Sequence, residues 1–258
     1  GDRKDLKEFS QLVFQNVVHK HLGIPKERVH FVLHHRAHGY YAYYASPIPK
    51  DKVLILTADA WGDGANASVS LAQGGEIKLL STSANFQLAR LYRYMTLLLG
   101  MKPDEHEYKV MGLAGYANPR YYEAPYRIFK ETQYVDGLGF GYNIKPQDLY
   151  NYFRGRMEGY RFDAIAGALQ AYTEDILVQW SRNAIIATGA PRVVFAGGVG
   201  MNVKAVMSIG RLPEVEDLFV CPSPSDESTA IGAAYVYIHD QLTANGKDPT
   251  KIIKPIPH

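Results

Sequence analysis

The chain has 258 residues, of which 47% are hydrophobic, and its formal net charge at pH 7 is +2. These values are typical of a globular protein with one large domain or two small ones. The small net charge argues against nucleic acid or a membrane surface as the main partner, and no apolar run is long enough to span a bilayer.

The cysteine content and the N-terminal residues bear on the compartment. Cys221 is the single cysteine, which excludes an internal disulfide and fits a reducing compartment. The apolar run around it favours a buried structural thiol over a nucleophile. The first residues show no signal-peptide pattern and no initiator Met, so we expect a cytoplasmic protein whose chain begins at a cleavage or cloning boundary.

The first part of the chain carries a pair of histidines at helical spacing. An amphipathic helix is predicted over residues 5–22 and a strand over 29–33, and a second helix begins at His34 and ends before Pro47. His34 and His38 are four residues apart, so their side chains point from the same face of that helix. Two imidazoles in this arrangement can hold one divalent metal, although the alternative is that they are surface or packing residues.

Three strands follow, at residues 53–56, 67–72 and 76–82, and Gly74-Gly75 predicts a hairpin between the last two. A loop rich in glycine and acid, Asp59 to Gly64, is predicted between the first two strands. Asp59 is a candidate oxygen ligand for the metal. The alternative is an ordinary Asp-Gly hairpin with Asp63 in solvent.

The remaining elements complete an α/β pattern. A helix is predicted over 88–99, a short one over 105–116, and a tyrosine-rich helical insertion over 120–160 whose aromatic residues we interpret as packing residues. A long helix, a strand, a glycine turn with a helix, a strand and a last helix are predicted at 162–188, 193–196, 197–202, 217–221 and 227–243. The order βββαβαβα is that of a ribonuclease-H-like domain, the building block of the actin-like ATPase fold, with a mixed sheet flanked by helices.

This order also predicts a division of the chain. Residues 1–50 are interpreted as a remnant of a first actin-like subdomain, whose first half is incomplete. Residues 51–245 are interpreted as the second, ribonuclease-H-like subdomain, with the insertion at about 85–160.

Two junctions between strand and helix are candidates for ligand binding. Gly197 and Gly198 would let backbone N–H groups approach an anion closely, although a tight turn is an equally good interpretation. After the next strand, Ser225 or Asp226 is expected to cap the last helix, and capping by one leaves the other free to bind a metal. Ligands gather at the carboxyl ends of strands in α/β sheets, where all these loops are expected to lie.

Five sequence stretches carry a resemblance to a known family. The sequence resembles the O-carbamoyltransferases of the nodulation-protein-U and cephalosporin-carbamoyltransferase type over residues 29–240. The stretches are HHRAHGYYAYYASP (34–47), LTADAWGDGANASV (56–69), EYKVMGLAGYANP (107–119), AGGVGMNVKAV (196–206) and PSPSDESTAIGAAY (222–235).

The resemblance implies a reaction and a set of ligands. In the family, a metal-dependent nucleotide-binding domain transfers a carbamoyl group to a hydroxyl of a small-molecule acceptor. A second domain makes the donor, carbamoyl-adenylate, from ATP and carbamoyl phosphate. The matched positions imply a divalent metal at His34, His38, Asp59 and Asp226, with Fe²⁺ first and Zn²⁺, Mn²⁺ or Mg²⁺ as alternatives. They also imply ATP, ADP or carbamoyl-adenylate at Glu107, Lys109, Gly197, Gly198 and Asn202, whereas no catalytic residue is assigned.

The sequence departs from the family at three points. It contains no Gly-x-His-Asp-x-Ser phosphate loop and no counterpart of the carbamoyl-adenylate-forming domain, and Asp59-Ala60 stands where the family has Asp-Gly. We therefore expect a part of a longer carbamoyltransferase that is inactive alone. A non-catalytic metal- and nucleotide-binding module is the alternative. A metallopeptidase is disfavoured because His34 is not followed by Glu as in His-Glu-x-x-His.

Overall fold

The structure is a computed structural model, in which the backbone is described for residues 3–255 and the side chains for residues 8–255. The chain forms two compact units, and the second of them begins at His34. The subdomain boundary expected at residue 50 stays a prediction.

The first unit is built around one long helix, α1, at Arg3–Leu22. The helix predicted over residues 5–22 is therefore confirmed. It ends at Gly23, which has a φ of 66° and donates its N–H to the carbonyl of His19, a left-handed helix terminus that glycine favours. A short 3₁₀ turn follows at Lys26–Arg28.

The strand predicted over residues 29–33 is wrong. This segment has no regular secondary structure, although Val29 has extended dihedral angles. A run of apolar residues becomes a strand only where a neighbouring strand supplies hydrogen bonds, and no strand pairing among the described residues includes this segment.

The second unit contains nine helices and seven strands among the described residues. The strands are β1 (Lys52–Gly62), β2 (Ala65–Gln73), β3 (Glu76–Ser83), β4 (Gln133–Asp136), β5 (Gly139–Tyr142), β6 (Arg192–Ala196) and β7 (Asp217–Val220). The helices are α2 (His34–Ala45), α3 (Leu88–Leu98), α4 (Glu107–Ala114), α5 (Pro119–Lys130), α6 (Leu149–Met157), α7 (Phe162–Thr188), α8 (Val203–Gly210), α9 (Thr229–Ala244) and α10 (Pro249–Ile252).

Five of the strands form one mixed sheet in the order β3-β2-β1-β6-β7. The first three strands are antiparallel, whereas β6 is parallel to β1 and β7 is parallel to β6. Gly74 and Gly75, both with positive φ, form the turn between β2 and β3 as expected. This topology is the ribonuclease-H-like arrangement predicted from the order of the elements. It also places the carboxyl ends of β1, β6 and β7 at the same edge of the sheet.

Strand β1 is apolar because both of its faces are covered. Leu54 and Leu56 belong to the large core that includes Trp180 of α7. The alternating residues Ile55 and Thr57 lie on the opposite face, next to α2. A strand buried on both faces loses the polar alternation of an exposed sheet.

A close approach of two backbones packs α2 against α9. A Cβ atom added to Gly232 would lie 2.1 Å from the carbonyl oxygen of Ala37, so only glycine permits this contact. Among residues 3–255, no helix is long and apolar enough to cross a lipid bilayer.

Three local predictions need correction. Strand β1 continues to Gly62, so Asp59 lies in a strand and the turn is confined to Asp63 and Gly64. The region 120–160 contains the hairpin β4–β5 besides α5 and α6. No side chain caps the 3₁₀ turn or the helix that follows Ser225, because the hydroxyls of Ser228 and Thr229 bond to the preceding carbonyls instead.

Candidate metal centre

The N-terminus of α2 is held by a side chain from the β1–β2 turn. The backbone N–H of His34 donates to Oδ2 of Asp63 at 2.7 Å. Asp63 adopts a left-handed conformation with a φ of 51°, which Asp tolerates better than most residues. The turn therefore fixes where α2 begins, next to the end of β1.

Both histidines of the predicted pair point at Asp59. The Nε2 atom of His38 lies 3.0 Å from Oδ2 of Asp59, and the Nε2 atom of His34 lies 3.2 Å from the same oxygen. The two Nε2 atoms are 3.1 Å apart. The Nδ1 atom of His38 is buried without a hydrogen-bond partner among the described residues, so Nε2 is the nitrogen of this ring that makes the polar contacts.

Asp226 reaches the same point from the segment after β7. Its Oδ1 atom lies 3.4 Å from Nε2 of His34 and 3.3 Å from Nε2 of His38. Its side chain is 69% exposed, whereas that of Asp59 is 10% exposed, so the cluster has one open side.

The four side chains have a geometry that suits a single cation. One ligand atom from each of His34, His38, Asp59 and Asp226 lies within 4.8 Å of the others. Ligands about 2.1 Å from a shared metal are separated by about 3.0 Å in octahedral and about 3.4 Å in tetrahedral geometry. The observed separations from the histidines, 3.0 to 3.4 Å, span this interval. Two imidazoles and two carboxylates suit a borderline divalent metal, so the residues fit the implied group.

Hydrogen bonds and burial shift the pKa values of the cluster residues in different directions. Burial alone would raise the pKa of Asp59, but hydrogen bonds from His34, His38 and the Ala60 N–H outweigh it and hold that pKa well below its usual range. Burial and the neighbouring Asp59 raise the pKa of Asp226. The hydrogen bond to Asp59 raises the pKa of His34 despite partial burial. Asp59 is therefore the ionised carboxylate at the centre of the cluster.

The two residues between the histidines have other partners. His35 is buried, its Nδ1 atom lies 2.7 Å from Oγ1 of Thr57, and burial lowers its pKa to about 4. Arg36 donates to both carboxylate oxygens of Asp240 in α9. Neither residue contributes a donor to the cluster.

The glycine turn after β6 lies beside the cluster. A Cβ atom on Gly197 would lie 2.1 Å from the carbonyl oxygen of Ala58, and one on Gly198 would lie 3.2 Å from Oδ1 of Asp59. Gly197 has a φ of 93° and donates its N–H to the carbonyl of Pro224. The turn packs between the ends of β1, β6 and β7. Its glycines are therefore needed for packing, whether or not they also bind a ligand.

Asn202 takes part in a polar network. Its Oδ1 atom accepts from the N–H of Ala205 and caps α8. Its amide also pairs with the amide of the buried Gln170 through two hydrogen bonds of 3.0 Å. Tyr92 of α3 donates its hydroxyl to Gln170 at 2.7 Å. Gln170 and Tyr92 were not predicted from the sequence, because a glutamine inside an apolar helix gives no pattern that identifies its partners.

Glu107 and Lys109 lie in the first turn of α4. Glu107 accepts from the backbone N–H of Asp104, and its charge contributes to the raised pKa of Tyr92, whose main cause is burial. Lys109 is exposed, and its Nζ atom lies 5.8 Å from the ring centroid of Tyr108. Glu107 thus acts on one member of the Tyr92–Gln170–Asn202 network through its charge. Nucleotide binding by these residues stays a prediction.

Two further residues shape the cluster and were not assigned this role from the sequence. Gly62 leaves room for His34, since a Cβ atom there would lie 2.1 Å from Cδ2 of its imidazole. Asp63 caps α2 instead of lying free in solvent. The dipeptide Asp63-Gly64 indicated the turn, but its contact with a helix that precedes it in the chain depends on tertiary structure.

Comparisons with known proteins place the chain in a family. Residues 6–235 match the family described as Carbamoyltransferase N-terminus. Nodulation protein NolNO of Sinorhizobium fredii is 31% identical over 236 residues, which are 87% of this chain and 34% of that protein. The tRNA N6-adenosine threonylcarbamoyltransferase of Geotalea daltonii is 31% identical over 117 residues, which are 43% of this chain and 33% of that protein.

One solved structure gives a weaker match. Full-length HypF in its phosphate- and nucleotide-bound form covers 82% of this chain and 43% of its own, with a TM-score of 0.47 and 13% sequence identity. The chain spans about a third of the length of the two sequence relatives. Because the family match covers most of the 258 residues, the chain belongs to the carbamoyltransferase family as its N-terminal type of domain.

Proposed function

We propose that this chain is the metal- and nucleotide-binding part of an O-carbamoyltransferase. The observation that carries the proposal is the convergence of His34, His38, Asp59 and Asp226 on one point. Three separate segments supply these donors, namely α2, β1 and the turn after β7. Fe²⁺ is the first candidate for the metal, and Zn²⁺, Mn²⁺ and Mg²⁺ are alternatives.

The metal would supply Lewis acidity, which polarises a carbonyl or phosphoryl oxygen. The chain's own residues would hold the reactants beside it. The open side of the cluster at Asp226 leaves a route for them, whereas the buried Asp59 and His38 fix the position of the centre. Positioning of this kind lowers the barrier by keeping the reacting atoms in contact.

The nucleotide is proposed to lie along the glycine turn and the start of α4. Gly198 leaves the space next to Oδ1 of Asp59 free of a side chain. Lys109 has an exposed ammonium group without an ion pair among residues 8–255, so it can bind a phosphate. Glu107 lies near the same network as Asn202, whose amide is engaged with Gln170. A nucleotide that binds Asn202 would therefore either contact the amide atoms that are not bonded to Gln170 or replace Gln170 as the partner of that amide.

The proposed reaction transfers a carbamoyl group from carbamoyl-adenylate to a hydroxyl. The hydroxyl oxygen attacks the carbamoyl carbon, and the bond from that carbon to the adenylate oxygen breaks. AMP leaves with the electron pair, and the hydroxyl proton is released. The donor would be made from ATP and carbamoyl phosphate by another domain. Support for carbamoyl chemistry comes from the family match and from the threonylcarbamoyltransferase among the relatives.

Labelled substrate tests the proposal. The protein that contains this chain and the carbamoyl-adenylate-forming domain is incubated with ATP, radiolabelled carbamoyl phosphate, Fe²⁺ and a panel of hydroxylated acceptors. We expect label in an O-carbamate, and we expect the His38→Ala variant to lose it. The matched control is His35→Ala, whose removed ring makes no contact with Asp59. Equal transfer by both variants would show that the cluster has no part in the reaction.

A further inference from the structure

A cavity whose lining contains none of the four donors lies beside α3. Its volume is about 310 Å³, and its walls come from α3, from the end of β5 and from the segment that leads into α6. Gln87, Arg90, Tyr94, Tyr142 and Lys145 supply the side chains that matter here. None of them belongs to the metal cluster or to the expected nucleotide site.

The cavity carries a net positive charge, because its lining contains two cations and one carboxylate. Arg90 and Lys145 form no ion pair within residues 8–255, and each lies against an aromatic ring instead. The guanidinium of Arg90 is 5.3 Å from the ring centroid of Trp61, and Nζ of Lys145 is 5.1 Å from that of Tyr142. Asp148 also lines the cavity, but its carboxylate is engaged as the N-cap of α6, where it accepts from Asn151. Two cations in a concave site attract an anionic ligand.

The cavity also contains polar atoms whose hydrogen bonding is incomplete. Oε1 of Gln87 and the hydroxyl oxygen of Tyr142 are buried, and neither has a well-aligned hydrogen bond with the described residues. The Gln87 amide and the Arg90 charge are nevertheless close enough to the phenol to oppose the effect of burial, which raises the Tyr142 pKa. Gln87 and Tyr142 thus place a side-chain amide and a phenol, both of them hydrogen-bonding groups, in the wall of the cavity. The rings of Tyr94 and Tyr142 offer flat apolar surfaces beside them.

Trp61 connects this cavity to the cluster. It lies two residues beyond Asp59 on β1, is 46% exposed, and is the residue over which Arg90 is placed. Two residues of strand span about 7 Å, which is within the length of a small molecule. A ligand held by Arg90 can therefore extend past Trp61 towards Asp59.

We propose that this cavity binds the anionic group of the molecule that accepts the carbamoyl group, and that the acceptor is an anionic sugar such as a sugar phosphate or a uronic acid. Arg90 and Lys145 bind the anion, Gln87 and Tyr142 bind hydroxyl groups, and a hydroxyl on the far side of the sugar faces the cluster. The assignment of the ligand as an acceptor rests on the proposed function. The binding itself does not require the metal.

Calorimetric titration of the 258-residue chain tests the proposal. The probes are glucose 6-phosphate, glucuronate, glucose and inorganic phosphate. We expect one or both anionic sugars to bind about tenfold more tightly than glucose or inorganic phosphate, and the two arms distinguish phosphate from carboxylate recognition. Arg90→Gln and Lys145→Gln should each weaken binding of the anionic sugar about three- to tenfold. Arg211→Gln removes an equally positive, exposed side chain after α8 and should leave binding unchanged.

Several results would overturn this inference. It is wrong if Arg90→Gln and Arg211→Gln bind the anionic sugars equally well, if glucose binds as tightly as they do, or if no anionic sugar saturates the chain below about 10 mM. Arg90→Lys keeps the charge and should retain most of the affinity, which separates loss of the cation from loss of the fold. His38→Ala, titrated in parallel, should bind the sugars normally. If the unmodified chain binds the anionic sugars but no metal, the result therefore contradicts the proposed function and leaves the sugar-binding site intact.

Discussion

Gly62 and His34 are in such close contact that a Cβ atom on Gly62 would lie 2.1 Å from Cδ2 of the imidazole. The backbone of Gly62 does not have a positive φ, so alanine fits its conformation and would act only by displacing the ring. We expect Gly62→Ala to weaken divalent metal binding by at least about tenfold, because His34 can no longer reach the point it shares with Asp59.

Metal titration by calorimetry measures this effect, and Gly155→Ala is the matched control. A Cβ atom on Gly155 in α6 meets no atom within 4 Å, so this variant should bind metal normally. It should also be slightly more stable, by about 0.5–1 kcal/mol, since glycine is unfavourable inside a helix. Equal metal affinity of the two variants would contradict the role given to His34.

His38 and His35, in the first turns of α2, separate metal binding from packing. His38→Ala should abolish high-affinity metal binding, because Nε2 of His38 lies 3.0 Å from Asp59 and 3.3 Å from Asp226. His35→Ala removes a ring that bonds to Thr57 and should retain the metal, although it lowers stability. Metal content after purification and dialysis measures both. Loss of metal in His35→Ala with retention in His38→Ala would reverse the assignment.

Gln170 stabilises the junction of α3, α7 and α8. Replacement by leucine leaves the Asn202 amide and the Tyr92 hydroxyl without their partner, and each buried polar group left unpaired costs about 1–3 kcal/mol. We expect Gln170→Leu to lower the free energy of unfolding accordingly. Gln179→Leu, at an exposed position of the same helix, should change it by less than about 0.5 kcal/mol. Urea unfolding of the two variants is the measurement, and equal midpoints would refute the network's contribution.

Buried tyrosines make the fold sensitive to alkaline pH. Burial raises the pKa of Tyr43 above the ordinary value of 10.0. Because the folded-state pKa is the higher one, the protonated phenol's contribution is fully present below about pH 10 and is lost as the pH rises above it. Stability should therefore fall between about pH 10 and pH 11. Tyr43→Phe should fall less steeply over this interval.

Tyr116→Phe is the control for this pH dependence. Tyr116 is 83% exposed, so removal of its hydroxyl leaves the buried part of the fold unchanged. Urea unfolding at a series of pH values should give parallel curves for Tyr116→Phe and the unmodified chain. A curve for Tyr43→Phe that is parallel to both would show that the Tyr43 phenol is not buried in the folded protein.

Local patterns were enough for most elements of the sheet and its helices. The apolar run at 53–56 and the long periodic segment at 162–188 each bury so much surface that their structure follows from their pattern. The segment 29–33 has a similar apolar pattern, but it takes part in no strand pairing among the described residues. The hairpin β4–β5 was missed because its strands are short and half exposed, which leaves little periodicity to detect.

Only the part of the candidate site that depends on spacing along the chain could be predicted from local pattern. The four-residue spacing of His34 and His38 places both rings on one face of any helix that contains them. Asp59 and Asp226 were candidate oxygen ligands from their loops, and the family resemblance joined them to the histidines in one ligand set. The structure brings their oxygens to the two rings. The roles of Gly62 and Asp63 depend on where the β1–β2 turn meets the start of α2, and no local pattern encodes that contact.

The sequence by itself determined the order of the elements, the mixed sheet and the histidine pair, because hydrophobic periodicity and glycine turns act over short distances along the chain. Tertiary structure alone decided that β1 extends through Asp59, that Gly197 and Gly232 allow neighbouring backbones to touch, and that Asp226 reaches α2. The cavity at Arg90 is also a feature that only tertiary structure decides, since its walls come from three separated segments. Contacts between distant segments depend on how whole elements pack against each other. That packing is determined only when both faces of the sheet are covered.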